Sequence, residues 1–268
     1  MNEELKNEFL KADIEYFSVI KYSDCHEINP GFFRNKDIEP KSVILYLAPY
    51  FVSRPKNFSA YAASIDYHLI LKSISEELIS FLKKRFPNNS FLGCTDNSPI
   101  DERHAALISG LGILGDNGLL INEKYGSYVF VGDILTDAEP DLLFALEPKE
   151  IGYCEHCGKC KAACPTAILS GKSTECLSAI TQKKGDLSTS EINLMKKCNT
   201  VWGCDLCQNA CPHNASPQKT PISMFYEDRI DLLTSETVQK MSDEDFSIRA
   251  FAWRKRKTVM RNLKYLDY

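Results

Sequence analysis

The sequence has no stretch close to the roughly 18 consecutive apolar residues that a membrane-spanning helix requires. The charged residues 1–6 are not followed by an apolar run, so we expect no secretory signal and a cytoplasmic location. Positive charge is not in excess: the formal net charge of -4 argues against a protein built mainly to hold nucleic acid by its phosphates. At 268 residues and 44% hydrophobic composition, the chain can still bury a core of one or two domains.

Cysteine is what the sequence has in excess. All of the eleven cysteines except Cys25 and Cys94 fall between residues 153 and 212. The first group is Cys154-x-x-Cys157-x-x-Cys160-x-x-x-Cys164-Pro165, the spacing of bacterial two-cluster ferredoxins, in which the fourth cysteine ligates the other cluster. The second group, Cys204-x-x-Cys207-x-x-x-Cys211-Pro212, would be a complete copy if Val201 were cysteine. No other repeat and no low-complexity tract is present.

This spacing predicts two [4Fe–4S] clusters. The fourth-cysteine exchange groups Cys154, Cys157 and Cys160 with the distant Cys211. It also groups Cys204 and Cys207 with Cys164 and one cysteine from the intervening segment. On spacing alone, Cys176 and Cys198 are both candidates for that place. Zinc and disulfide bonds are the alternatives, but zinc leaves the three-two-three spacing and both Cys-Pro endings unexplained, and a reducing compartment disfavours disulfides.

Before the cysteines, strands alternate with helices and predict an α/β or α+β domain. We expect helices over residues 2–14, 60–86 and 100–111, strands over 42–48 and 90–94, and paired strands at 119–121 and 128–131. Residues 137–152, with Pro140 and Pro148, are the expected domain boundary, and the segment after Pro212 is predicted to be mainly helical.

Several residues have both a structural and a functional interpretation. Asp96 precedes a predicted helix and is either its N-cap or a proton donor facing a cleft. His68 and His104 lie in predicted helices and have no partner motif; Leu71 also occupies the glycine position of the cobalt-ligating Asp-x-His-x-x-Gly motif.

The glycines at 110, 112 and 115 match a dinucleotide loop weakly and favour close approach of the backbone to a bulky group. The basic residues 249–257 are either a solvated helix face or a contact for RNA phosphates. Cys25 and Cys94 are expected to be ordinary buried thiols.

Taken together, separated stretches of this sequence resemble the epoxyqueuosine reductase family, the cobalamin-dependent iron–sulfur enzymes of tRNA queuosine synthesis. The matching motifs follow the family's order over residues 10–265. They are Tyr61-Ala62, Asp66-Tyr67-His68, Asp96-Asn97-Ser98-Pro99, Glu102-Arg103, Gly110-Leu111-Gly112-Ile113-Leu114-Gly115-Asp116-Asn117, Gly126-Ser127, Phe130-Val131-Gly132, the cysteine block through Gly203-Cys204-Asp205-Leu206-Cys207-Gln208 and Cys211-Pro212, and Arg261-Asn262.

The resemblance implies an α+β fold. Residues 1–148 would form a nitroreductase-like cobalamin-binding domain, residues 149–216 a ferredoxin-like double [4Fe–4S] domain, and residues 217–268 a C-terminal helical segment. Cobalamin would bind base-off, Asp96 would donate the proton, and Cys176 rather than Cys198 would be the eighth cluster ligand. The residues expected to contact the corrinoid are His68, Asp96, Gly112, Asn117, Gly126, Ser127, Thr174 and Trp202.

The sequence also departs from the family. Asp116 stands where a lysine is usual, which puts an anion near the expected corrinoid, and Asp101 replaces an apolar residue. Family members usually continue into a helical-repeat domain that helps to hold tRNA, whereas this sequence stops at Tyr268. Either the basic C-terminal helices hold tRNA unaided, or the substrate has changed.

The expected activity is reduction of epoxyqueuosine to queuosine in tRNA by a monomer. Electrons would pass from an external low-potential donor through two [4Fe–4S] clusters to cobalamin, and no membrane is involved. The alternatives are corrinoid-dependent reduction of a small epoxide or organohalide, and a non-catalytic ferredoxin-like electron carrier.

Overall fold

The computed structural model describes residues 3–36 and 38–268. Its first half contains helices and strands in alternation. In chain order these are α1 (Glu3–Lys11), β1 (Phe17–Lys21), β2 (Ser42–Pro49), α2 (Tyr67–Arg85), β3 (Phe91–Cys94), α3 (Glu102–Ile108), β4 (Ile113–Leu114), β5 (Leu120–Ile121) and β6 (Val129–Thr136). The predicted first helix began at Asn2, which lies outside the described residues.

The second half has helices and turns. They are α4 (Lys159–Ala163), α5 (Leu177–Thr181), α6 (Thr189–Cys198), α7 (Leu206–Asn209), α8 (Ser235–Lys240), α9 (Asp243–Ser247) and α10 (Lys255–Leu266), joined by short 3₁₀ turns. The chain is therefore mixed helix and sheet, in agreement with the α+β expectation. No helix of the described residues has the length and apolar content that crossing a membrane demands.

The central sheet has the strand order β1-β2-β6-β3, and all of its pairs are antiparallel. Strand β2 is buried at every position because both sheet faces are covered. Its residues alternate between the faces: Ile44 and Tyr46 join the core beneath α1 and α2, whereas Val43 and Leu45 join the core beneath α3. This layering fixes the loop between β3 and α3 at the edge of the sheet.

Two predictions of local structure were wrong. Strand β5 pairs with β4, within the glycine-rich segment, and not with the strand at 128–131. Gly112 permits this pairing, because a Cβ there would lie 2.6 Å from the Ile121 carbonyl oxygen. The predicted helix at 60–86 is a 3₁₀ turn at Ala60–Ala62 followed by α2, whose N-cap is Asp66.

Two sets of contacts join the cysteine-bearing segment to the rest of the chain. The side chain of Asn214 accepts from Ser127 N at 2.9 Å and donates to Ser127 Oγ at 2.8 Å, and Gln208 donates to Ser127 O at 2.8 Å. On helix α10, the fully buried Asn262 donates to Thr181 O at 2.6 Å and to Val201 O at 2.8 Å. The segment that carries the cysteines is thus held on two sides.

Candidate functional site

All eleven cysteines are free thiols, and eight of them line two pockets in two groups of four. The first pocket is lined by Cys154, Cys157, Cys160 and Cys211. The second group, Cys164, Cys176, Cys204 and Cys207, lines a larger cavity. The first group combines three cysteines of the first signature with Cys211 of the second. The second group combines Cys204 and Cys207 of the second signature with Cys164 of the first and with Cys176 from the segment between them. Each group thus takes one cysteine from the other signature, as the two-cluster ferredoxin pattern requires.

The three other cysteines lie outside both pockets. Cys198 packs at the end of α6 against a small apolar cluster, and burial raises the pKa of its thiol. Cys25 and Cys94 pack in the core beneath α3, where burial raises the pKa of Cys25 to about 12 and that of Cys94 further.

Asp116 lies in the first pocket and not in the larger cavity. Its backbone N–H points to Cys154 Sγ at 3.4 Å, and its carboxylate contacts His156 Nδ1 at 2.6 Å and Lys161 Nζ at 2.8 Å. Hydrogen bonds from Lys161 and then from His156 hold the pKa of Asp116 below its ordinary value. Asp116 thus borders the first cysteine group and pairs with Lys161, and its effect on a bound corrinoid stays a prediction.

The larger cavity has a volume of about 1100 Å³, which is at the upper end of the range for ligand pockets. The second cysteine group lies on one wall, and residues from the sheet domain, among them Tyr67, Asp96 and Phe130, line it as well. Asn117 also lines it, and its buried Nδ2 has no hydrogen-bond partner. A ligand with acceptor groups at this position would satisfy that donor.

Asp96 is held in the cavity by its neighbours and caps no helix. The N-cap of α3 is Asp101, whose carboxylate accepts from His104 N at 3.0 Å. The hydroxyl of Tyr67 donates to Asp96 Oδ2, and His68 Nε2 lies 3.4 Å from the same oxygen. The phenol ring of Tyr67 stacks on Phe130 with centroids 4.2 Å apart, which fixes the direction of the hydroxyl.

His68 connects Asp96 to a second carboxylate. Its Nδ1 lies 2.7 Å from Asp66 Oδ1, and its imidazole is about half exposed, with 47% of the side chain accessible. Asp66 is also the N-cap of α2, where it accepts from His68 N at 3.0 Å. A hydrogen bond to Asp66 at one ring nitrogen orients the other toward Asp96, which is the arrangement of an oriented proton carrier.

A buried carboxyl pair lies behind Asp96. Asp133 on β6 is fully buried and accepts from Ser98 Oγ at 3.0 Å, and its side chain hydrogen-bonds Glu102. Glu102 also lies within electrostatic range of Asp96. Burial, and then the charge of Asp133, raises the pKa of Glu102 well above its ordinary value. Two carboxyl groups can bond in this way only when one of them is protonated, and the raised pKa of Glu102 favours a proton shared by the pair.

Comparison with known proteins agrees with this geometry. Residues 153–214 match the family described as 4Fe-4S double cluster binding domain. An epoxyqueuosine reductase of Staphylococcus aureus is 30% identical over 207 residues, which are 74% of this chain and 52% of that protein. The chain belongs to the epoxyqueuosine reductase family. It spans about half to three fifths of the length of the curated relatives that it matches.

Two solved epoxyqueuosine reductases share the fold. The structure from Streptococcus thermophilus has a TM-score of 0.75 and 22% identity, and the match covers 99% of this chain and 80% of that one. A crystal structure of epoxyqueuosine reductase with a tRNA-Tyr epoxyqueuosine-modified tRNA stem loop has a TM-score of 0.78 and 21% identity, and the match covers 98% and 80%.

The structure brings together half of the corrinoid contacts expected from the family. His68, Asp96, Asn117 and Ser127 line the large cavity. Gly112 faces a different pocket, and Gly126 packs against Asn214, where it serves the joint between the two halves of the chain. Thr174 is exposed and does not line the cavity. Trp202 is fully buried and donates from Nε1 to the Tyr61 hydroxyl at 3.0 Å, so it supports a lining residue from behind.

Sequence reasoning assigned no role to Tyr67, Glu102 or Trp253. Tyr67 lies inside a motif shared with the family, and that position could have indicated a functional role. Glu102 was also inside a motif, but its buried partner Asp133 is 31 positions away in sequence on another element, and no local pattern links the two. Trp253 lines the cavity from the C-terminal segment, which only the tertiary fold brings there.

Proposed function

We propose that this chain reduces epoxyqueuosine to queuosine in tRNA, using a corrinoid and two [4Fe–4S] clusters. The observation that carries the proposal is that one cavity is lined both by four cysteines, Cys164, Cys176, Cys204 and Cys207, and by the acid Asp96. A cluster and a proton donor at one cavity suit a reaction that consumes electrons and protons together. The tRNA-bound relative and the family membership favour this substrate over a small epoxide.

The domain organisation that we propose is a corrinoid-binding nitroreductase-like domain at residues 1–148, a cluster domain at 149–216 and a helical segment at 217–268. Cys154, Cys157, Cys160 and Cys211 would hold the first cluster, and the second cysteine group would hold the other. When bound, the corrinoid would supply a strongly reducing cobalt centre, fed with electrons by the clusters. The corrinoid would contact His68, Asp96, Asn117 and Ser127. An external low-potential donor would deliver electrons at the first pocket, where Cys157 is exposed.

The side chains of the protein would supply the protons and hold the proton donor in position. Loss of the epoxide oxygen as water takes up two electrons and two protons. Asp96 would hold the first proton at Oδ2, with Tyr67 fixing the carboxyl group by its hydroxyl. His68, oriented by Asp66 and half exposed, would return a proton to Asp96 from solvent. The wall of Tyr61, Tyr67 and Phe130 would limit the access of water to the reacting atoms.

The test is reconstitution of the purified protein without oxygen from iron, sulfide and cobalamin. We expect absorbance bands of both cofactors and, with a chemical reductant, conversion of epoxyqueuosine-containing tRNA to queuosine-containing tRNA, detected by nucleoside mass spectrometry. A free cyclopentane epoxide serves as the matched small substrate. Conversion of the free epoxide but not of the tRNA would show that the substrate is a small molecule. Binding of clusters without binding of corrinoid would show that the protein is an electron carrier.

A further inference from the structure

Trp253 is an exposed aromatic residue at the rim of the large cavity. It belongs to the 3₁₀ turn Ala252–Arg254, and 59% of its surface is accessible. Of the large apolar side chains exposed in the described part of the chain, it is the only one that lines this cavity. Tryptophan is enriched at interfaces, because its indole offers a large apolar face and a polar N–H.

The turn holds Trp253 outward because its neighbours are anchored inward. Phe251 is fully buried and packs on Trp202 with ring centroids 6.2 Å apart, and on Phe246 at 5.6 Å. Ala250 is buried as well and lines the cavity beside Trp253. The indole therefore has a rigid base, and little conformational entropy is lost when a flat ligand stacks on it.

Basic residues that form no ion pair among the described residues follow Trp253 directly in the chain. The Arg254 guanidinium lies 3.8 Å from the Trp253 ring centroid, and its Nε has no hydrogen-bond partner. Lys255 and Lys257 are exposed, and among the residues described neither forms an ion pair, whereas Arg256 between them is paired with Asp243 at 3.2 Å. An aromatic face flanked by unpaired cations matches a nucleotide, with a flat base and an anionic phosphate.

We propose that Trp253 and Arg254 form a stacking platform for an RNA base beside the modified nucleotide, with Lys255 and Lys257 contacting its phosphates. This inference rests on the proposed function, since it takes the substrate to be an anticodon loop. A nucleotide that enters the cavity to reach Asp96 must leave the stack of its loop, which exposes the neighbouring base. Sequence-specific RNA contacts are made to such unstacked bases, on aromatic rings and guanidinium planes.

A protein electron donor is the competing occupant of this basic surface. The position of the platform disfavours a protein donor, because Trp253 lines the same cavity as Asp96, the proposed proton donor to the substrate. The pocket of the first cysteine group, in contrast, carries the exposed Cys157 and gives a donor a separate approach. The competing occupant is nevertheless separable by experiment.

The first experiment measures binding of a tRNA anticodon stem-loop to the reconstituted protein by fluorescence anisotropy. We expect Trp253→Ala to weaken binding roughly ten- to a hundred-fold, the effect of losing one stacked base, and Trp253→Phe to restore most of it. Phe144→Ala removes a similarly exposed aromatic residue, 55% accessible and outside the cavity, and should leave binding unchanged. Retained cluster and corrinoid absorbance verifies that each variant is folded.

Two further measurements complete the test. The chain has two tryptophans and Trp202 is buried, so quenching of the exposed tryptophan fluorescence by RNA should be present in wild type and absent in Trp253→Phe. The double variant Lys255→Ala, Lys257→Ala should lower the slope of log affinity against log salt by about 1.4, the value for two phosphate contacts on a single strand.

The outcomes separate the inference from the proposed function. Wild-type protein that neither binds nor converts the tRNA overturns the proposed function. Wild-type conversion with equal RNA affinity in Trp253→Ala overturns the platform alone. Unchanged RNA affinity with slower reduction of the clusters by a donor protein assigns the surface to that donor, and it also overturns the platform.

Discussion

Asp96 adopts a backbone conformation that non-glycine residues rarely use, with φ at +53°. Such a residue persists only where its surroundings hold it, and the conformation costs about 1–3 kcal/mol. Here Tyr67 donates to its side chain, and His68 Nε2 lies 3.4 Å from the same carboxylate oxygen. These contacts hold the carboxyl group in the cavity.

Replacing Asp96 by asparagine should remove the proton and keep the shape. We expect Asp96→Asn to retain iron and corrinoid, and to lose turnover by about 10²- to 10⁴-fold, the usual contribution of a general acid. Single-turnover formation of queuosine measures this. The control is Asp101→Asn, which alters the N-cap of α3 and should leave turnover intact. A fully active asparagine variant would show that Asp96 donates no proton.

We expect the buried pair Glu102 and Asp133 to make the stability of the protein depend on pH. The raised pKa of Glu102 means that the folded state keeps a proton that the unfolded chain releases above about pH 4.3. Stability therefore falls as pH rises from the unfolded pKa toward the folded one. We expect Glu102→Gln, which replaces the shared proton by an amide donor, to flatten this dependence.

Thermal unfolding of wild type and variant, both loaded with clusters, at about pH 5 and about pH 8 tests it, because both values lie above the ordinary pKa of glutamate, where the folded state is expected to keep the proton. Glu150→Gln, an exposed residue, is the control for a lost carboxylate. A variant with the slope of the wild type would show that the pair holds no extra proton.

For single residues, the sequence indicated which positions matter better than it indicated what each side chain does. Capping was a fair interpretation of Asp96, because Pro99 stands where a first helical turn tolerates proline. The chain instead uses the Pro99 carbonyl to accept from Ile28 N at 2.7 Å, which delays the helix to Glu102 and gives the capping role to Asp101. That contact spans 71 positions of sequence and has no local signature.

The elements that carry the cysteines show what spacing can determine. Cys-x-x-Cys runs place their sulfurs close together whatever surrounds them, and the two groups of four in the structure are those expected from spacing and family resemblance. Spacing could not choose between Cys176 and Cys198, because the choice depends on how α6 packs. Helix α6 ends with Cys198 turned to an apolar cluster, while Cys176 precedes α5 and lines the cavity.

Iron content tests this choice directly. We expect Cys176→Ala to lose about half of the iron of the reconstituted protein, since one of two clusters loses a ligand. Cys198→Ala should keep all of it and serves as the matched control. Equal iron retention in the two variants would contradict the assignment of Cys176.

Strand pairing was the least predictable feature at this scale. Strands β4 and β5 have two residues each, which is too few to show the alternation of apolar and polar residues that marks a strand. They also pair within a glycine-rich segment, whose conformation the glycines allow. Strand β2, in contrast, has eight buried residues, and the sequence located it almost to the residue.

At the scale of the whole molecule, we expect the function to depend on the contact between the sheet and the cysteine-bearing segment. Gly126 lies at this joint with φ at +59°, and a Cβ there would be 1.9 Å from Asn214 Oδ1. The side chain of Asn214 bonds Ser127, so it cannot move away without losing those bonds. The alternation of helices and strands predicted two halves, but it could not predict this contact between them.

We expect Gly126→Ala to lower the thermal midpoint and to lose corrinoid from the cavity, because the two halves that line it separate. Gly185→Ala is a matched control: its φ is +74°, so the backbone strain is the same, but no atom lies within 4 Å of the added Cβ. Calorimetry and corrinoid absorbance after gel filtration are the measurements. Equal behaviour of the two variants would show that the contact with Asn214 is unimportant.

The two hydrogen bonds of Asn262 have a consequence for biogenesis. They tie α10 to Thr181 and Val201, which lie just beyond Cys176 and just before Cys204 in sequence. During translation these cysteines leave the ribosome well before α10 does. We therefore expect stable insertion of the second cluster to follow the synthesis of α10.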